Sequence, residues 1–138
     1  MRAVLDPNVI VSAVLSRNGS PASVFRLWLD GAYELVVSPA LLDELERVLG
    51  YPKIADRVTQ REAAELLELL RRQSELVDDR PGPPAVKSPD PDDDYLISLA
   101  EAPRAVIVSG DAHLEGMANQ IPVYTPAAFL ALLAARAR

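Results

Sequence analysis

Four carboxylates fall within five positions in Ser88-Pro89-Asp90-Pro91-Asp92-Asp93-Asp94, and the acids run directly into the apolar series Tyr95-Leu96-Ile97-Ser98-Leu99-Ala100. Acids at the head of an apolar helix have two uses. They complement the free N–H groups and dipole of the first turn, or they hold a hard cation such as magnesium or manganese, which prefers carboxylate oxygens. With Asp90 as N-cap and Pro91 as first helical residue, Asp93 takes the third helical position, where a carboxylate can reach back to those N–H groups. Its facing suggests more. Asp93, Leu96, Ile97 and Ala100 follow the i, i+3, i+4, i+7 spacing, so Asp93 extends the stripe that faces the core, whereas Asp92 and Asp94 are rotated off it by about 100° each.

Two further aspartates close apolar runs: Asp6 after Ala3-Val4-Leu5, and Asp111 after the run that ends in Val108-Ser109-Gly110. Glu44 and Glu46 flank the apolar stripe of one helix; periodicity does not choose between them, and either is also an ordinary solvated helix acid. Carboxylates gathered at one edge repel one another unless cations lie among them. A cation held in that way lowers the pKa of a bound water and neutralises charge on a phosphate under attack, which hydrolyses the ester without a protein nucleophile. One of the acids can orient or deprotonate that water. Asn8, Ser12 and Ser109 stand near enough in sequence to support the ligands or contact phosphate, and equally suit capping or turn chemistry. The single histidine, His113, follows Asp111 by two residues; contact with substrate is the alternative to a structural role.

The elements that must position these residues alternate in type. Ala3-Val4-Leu5 reads as a buried strand passing into a helix through Val9, Ile10, Val11 and Val14. Ser20-Pro21 is an N-cap and first-turn pair for a helix that stops at Gly31, and Tyr33 to Val37 is a second strand. Ser38-Pro39 opens a helix with the stripe Leu41, Leu42, Leu45, Val48, Leu49 and the terminator Gly50. Thr59 with Glu62 is a capping box for a helix through Leu66, Leu67, Leu69 and Leu70. Glu75-Leu76-Val77 is a short third strand. The proline-rich stretch 80–89 is a stiff connection. Ala105 to Ser109 is a continuous apolar run of the kind that parallel strands covered on both faces carry. A short helix through Leu114 and Met117, a small strand Val123-Tyr124-Thr125 and an Ala/Leu helix from Pro126 complete the series.

This alternation predicts an α/β fold: a three-layer α/β/α sandwich around a mostly parallel sheet of about five strands, whose sites lie beyond the carboxyl ends of the strands. The 138 residues suit a single domain over 1–138, which buries roughly 70% of its unfolded surface. The chain has no cysteine, which excludes disulfides, thiolate catalysis and zinc–thiolate sites. A net charge of −6 counts against non-specific coating of nucleic acid, though not against a local site where cations offset the acids. Arg17, Arg47, Lys53 and Arg57 could supply local positive charge for RNA, or simply be surface. No segment approaches the roughly 20 apolar residues that span a bilayer, so the expectation is a cytoplasmic protein without a membrane partner.

Four segments carry a family likeness: Leu5-Asp6-Pro7-Asn8-Val9-Ile10-Val11-Ser12-Ala13; Ser38-Pro39-Ala40-Leu41-Leu42-Asp43-Glu44-Leu45; Asp90-Pro91-Asp92-Asp93-Asp94 with Leu96 and Ala100; and Val108-Ser109-Gly110-Asp111-Ala112-His113-Leu114. In this order and spacing, over nearly the whole chain, they resemble a PIN domain, specifically the VapC-like ribonucleases that are toxin components of type II toxin–antitoxin pairs. The resemblance implies Asp6, Glu44, Asp93 and Asp111 as a catalytic quartet binding magnesium or manganese, with Asp94 as a further candidate ligand. It also selects Glu44 over Glu46, because the family's helix acid directly precedes the apolar residue matched by Leu45. Pro7 departs from the pattern by standing where the family often has a hydroxyl residue. The implied activity is endoribonuclease hydrolysis of RNA, and the implied partners are RNA, an antitoxin protein, and a second copy in a homodimer or higher oligomer. The apolar second helix and the Leu-rich fourth could serve such interfaces or the core.

Two other classes compete. A PIN-fold module that has lost catalysis would bind RNA or protein only; the presence of all four acids argues against it. A receiver or dehalogenase-like phosphotransfer domain also clusters strand-end aspartates. However, Asn8 replaces the second aspartate of a dehalogenase, and neither Lys53 nor Lys87 closes a late strand as a receiver requires.

Overall fold

Five short strands pair side by side in the computed structural model, which describes residues 1–101 and 103–137: β1 (Arg2–Leu5), β2 (Glu34–Val37), β3 (Glu75–Leu76), β4 (Val106–Val108) and β5 (Val123–Tyr124). Their order is β3-β2-β1-β4-β5 and every pairing is parallel, so all their carboxyl ends open on one edge. The register sets Leu5 beside Val108, and the Asp6 N–H extends that ladder to the Val108 carbonyl at 2.9 Å. Asp6 and Ser109 therefore leave the centre of the sheet as neighbours, although 103 residues separate them in sequence.

Eight helices flank the sheet: α1 (Pro7–Leu15), α2 (Ser20–Leu29), α3 (Pro39–Leu49), α4 (Pro52–Ala55), α5 (Gln60–Gln73), α6 (Asp94–Glu101), α7 (Ala112–Glu115) and α8 (Pro126–Arg136) among the described residues. Most begin as their local sequences dictate. The Ser38 hydroxyl accepts from Leu41 N–H, Thr59 and Glu62 form the reciprocal capping box, and the Thr125 hydroxyl accepts from Ala128 N–H. α6 packs across β1, β2 and β4, α1 against α2 and α3, and α8 against α2 and β5. Leu5, Ile10, Leu41, Leu45, Leu96, Ile97 and Ile107 are sealed where these layers meet. None of the described helices is long and apolar enough to cross a membrane.

Two local expectations are corrected, and one element is added. Gly19, not Ser20, is the N-cap of α2; Ser20 is already helical, and its hydroxyl makes no capping bond. Asp90 does cap, accepting from Asp92 N–H at 3.0 Å, but Pro91–Asp93 form a 3-10 turn rather than the first turn of an α-helix. The Asp93 N–H donates to the Asp90 carbonyl three residues back, the tighter bond that defines that geometry, and the α-helix starts at Asp94. After Gly50 the chain also forms the one-turn α4, which carries too few residues to show a periodicity.

Candidate metal centre

Asp6 ends β1 and caps α1. Only 5% of it is exposed. One carboxylate oxygen accepts from the Asn8 N–H at 3.0 Å and the other from the Ser109 hydroxyl at 2.8 Å. Ser109, fully buried, accepts in turn from the Asp111 N–H at 3.0 Å, so one hydroxyl links the first acid to the backbone of the last. Burial pushes the Asp6 carboxyl above the usual carboxylate range; the two donors pull the other way, and the charges of Asp111 and Glu44 add to the rise.

Asp93 arrives from the 3-10 turn. Its Oδ2 is buried and has no hydrogen-bond partner. Its pKa is pushed up to about 7, first by burial, then by the charge and carboxyl contact of Asp111, then by Asp6 and Asp90. Asp111 caps α7, accepting from the His113 N–H at 2.8 Å. The His113 ring reaches back, with Nδ1 3.3 Å from Asp111 Oδ1. Asp90, Asp93 and His113 each offer a donor atom within 4.8 Å of the other two.

Glu44 approaches from α3 and acts electrostatically on Asp6. Its carboxylate is held by a two-bond fork from Arg47. Glu46 is turned elsewhere, into a groove of about 320 Å³ between α3 and the α4–α5 segment. Asp94 also faces away from the other acids: its Oδ1 accepts from the Ser88 N–H at 2.7 Å, fastening the proline-rich connection, and it lines a separate hollow with Asp79 and Arg80. Asp92 is exposed. Asn8 and Ser12 join Asp6 and Asp111 along a cleft of about 320 Å³. Asp6, Asp93 and Asp111 thus share one edge, Glu44 acts on Asp6 by its charge from α3, Asp94 lies apart, and the donors that meet at ligating distance among the described residues are those of Asp90, Asp93 and His113.

Sequence reasoning missed Tyr95, reading it only as the first residue of an apolar run. Its half-buried phenol lies within electrostatic reach of Asp6, Glu44, Asp93 and Arg47, and burial first, then the three acids, raises its pKa. No spacing within α6 marks it, because the groups that act on the phenol, among them Glu44 and Arg47 of α3, lie on other elements.

The donor set suits a hard divalent cation. It is mostly carboxylate oxygen, and a buried carboxylate oxygen left without a donor is a group that a cation would satisfy.

A family model described as PIN domain matches residues 2–113. An uncharacterized protein, MJ1680, from Methanocaldococcus jannaschii is 24% identical over 121 residues, spanning 87% of this chain and 77% of its own length. Among solved structures, the crystal structure of VapBC2 from Rickettsia felis bound to a DNA fragment from their promoter superposes with a TM-score of 0.61 at 17% identity, covering 91% of this chain and 98% of the matched chain. At that identity the likeness establishes the fold.

Proposed function

This chain belongs to the PIN domain family, and on that premise we propose that it is a magnesium- or manganese-dependent endoribonuclease, acting as the toxin of a toxin–antitoxin pair. The observation that carries the reading is the buried, unpartnered Oδ2 of Asp93, set among the charges of Asp111 and Asp6 at the carboxyl edge of a parallel sheet. Asp6, Glu44, Asp93 and Asp111 would hold the cation. When bound, it supplies a water of lowered pKa and charge neutralisation at the phosphate.

The chain's own residues do the rest. Ser109 and the Asn8 N–H pin both oxygens of Asp6, so that ligand is preorganised and loses little freedom on binding. Asp93 lies in contact with Asp111, and its burial beside that charge leaves the Asp93 carboxyl ready to take up a proton near neutral pH. Asn8 and Ser12, exposed along the cleft, offer donors to phosphate oxygens. Residues 1–138 act as one domain in this reading, in the cytoplasm and as a dimer or higher oligomer. The fold shared with a toxin–antitoxin complex supports an antitoxin partner.

Purified protein incubated with RNA and manganese, beside Asp6→Asn and Asp93→Asn, tests the proposal. Cleavage by the parent and loss in both variants is the expected result. No cleavage with any divalent metal, or equal cleavage in all three proteins, refutes the nuclease reading and favours a binding-only module.

A further inference from the structure

Glu44, Arg47 and Tyr51 lie on successive turns of one side of α3 and its C-terminal extension. The Arg47 guanidinium donates from Nε to Glu44 Oε2 at 3.0 Å and from Nη2 to Glu44 Oε1. Nη1 donates to the Tyr51 hydroxyl, and the guanidinium carbon stands 5.3 Å from the Tyr51 ring centroid. Arg47 keeps 59% of its side chain exposed, against 33% for Glu44, and Tyr51 is one of the few large apolar residues open to solvent. Arg47 and the acids Asp6, Glu44 and Asp93 all act on Tyr95, so this is the rim of the metal centre rather than remote surface.

On an ordinary helix face such a pair would be a weak surface salt bridge. Here the acid is one that the proposed cation also needs. Two positive partners therefore compete for a single carboxylate, and the guanidinium, on an exposed stalk, is the one that can leave. A protein of net charge −6 must also present local positive charge to bind a polyanion, and a planar fork beside an open aromatic ring suits a phosphate next to a stacked base.

We propose that Arg47 is a cation-gated substrate-binding residue: it neutralises Glu44 in the metal-free protein and, once a divalent cation takes Glu44, turns its fork to a backbone phosphate of single-stranded RNA, with the Tyr51 ring as a stacking face. The inference rests on the ribonuclease reading above. It couples metal binding to RNA binding, because each ion that binds releases the group that grips the substrate.

The coupling predicts effects of opposite sign. In calorimetric titrations with manganese alone, Arg47→Gln binds the ion about two- to fivefold more tightly than the parent, the range expected from removing one partly exposed ion-pair competitor. In anisotropy titrations with a cleavage-resistant phosphorothioate single-stranded RNA in manganese, the same variant binds more weakly, and the slope of log affinity against log salt falls by about 0.7, one phosphate contact on a single strand. In EDTA the two proteins bind that RNA alike. Manganese affinity unchanged or weakened in Arg47→Gln overturns the proposal, and so does an unchanged salt slope. Failure of the underlying reading appears separately, as a parent protein that neither binds manganese nor cleaves unmodified RNA.

Discussion

Replacing Asp93 by Asn should stabilise the metal-free protein while weakening its hold on metal. Asp93 is the acid whose position is least comfortable without a cation: one oxygen is buried and unpartnered, and its pKa stands at about 7 against 3.8 for the free side chain. The sign follows from the direction of the shift. Below pH 3.8 folded and unfolded chains both carry the proton, and the group is neutral to stability. Between about pH 4 and pH 7 the unfolded chain gives up its proton and the folded chain keeps it, so the cost of folding grows with pH and is complete above about 7. Each pKa unit corresponds to about 1.4 kcal/mol. The full shift would therefore be about 4 kcal/mol, and because Asp93 is partly open to solvent, screening reduces this to about 1–2 kcal/mol. Asparagine carries no such charge, and its amide can donate to the facing carboxylates. Thermal unfolding in EDTA should show Asp93→Asn melting roughly 3–8 °C above the parent at pH 8 and level with it at pH 4. Manganese at about a hundred times its dissociation constant should add about 2.7 kcal/mol to the parent and much less to the variant. A variant less stable than the parent at pH 8, or a difference that does not change with pH, would refute the account of this carboxylate.

Other expectations follow from neighbouring contacts. Ser109→Ala removes the donor to Asp6 and the acceptor for the Asp111 N–H; denaturant unfolding should show a loss of about 2–3 kcal/mol, with weaker manganese binding by calorimetry. Thr59→Ala, which breaks the capping box of α5, should cost about 1 kcal/mol and leave manganese affinity unchanged, so a change in affinity would contradict the separation of α5 from the metal centre. His113→Ala removes the only imidazole beside Asp90 and Asp93. Because imidazole suits zinc better than magnesium, competitive titration should show weaker zinc binding with magnesium binding unaltered.

How much of this was readable from residues in order depended on the range of the interaction. Helix starts at Ser38 and Thr59 were legible because each cap bonds to an N–H three residues on, whereas Thr125, read as the end of a strand, is the cap of α8. The apolar runs of β1 and β4 were legible because buried parallel strands need no polar face. Less legible were features in which two local preferences compete. Asp90 capped as expected, yet Pro91–Asp93 took the tighter 3-10 bond; Ser20-Pro21 looked like a cap and first turn, yet the helix had already begun. The role of Asp94, a further candidate ligand, was not legible because its partner, the Ser88 N–H, is brought to it by a connection with no periodicity of its own.

By itself the sequence determined the alternation of strands and helices, the inward face of Asp93, and the placing of Asp6 and Asp111 at strand ends. These are consequences of spacing within one element, and the family motifs add Glu44 to them. The tertiary structure alone decided the rest: the order β3-β2-β1-β4-β5, which sets β1 beside β4 and so lets Ser109 bond to Asp6; the direction of Glu44 toward that acid and of Glu46 into another groove; and the arrival of Tyr95 and Arg47 at the rim. Each of these joins groups on different elements, and no local pattern encodes the distance between two elements until the core between them has packed.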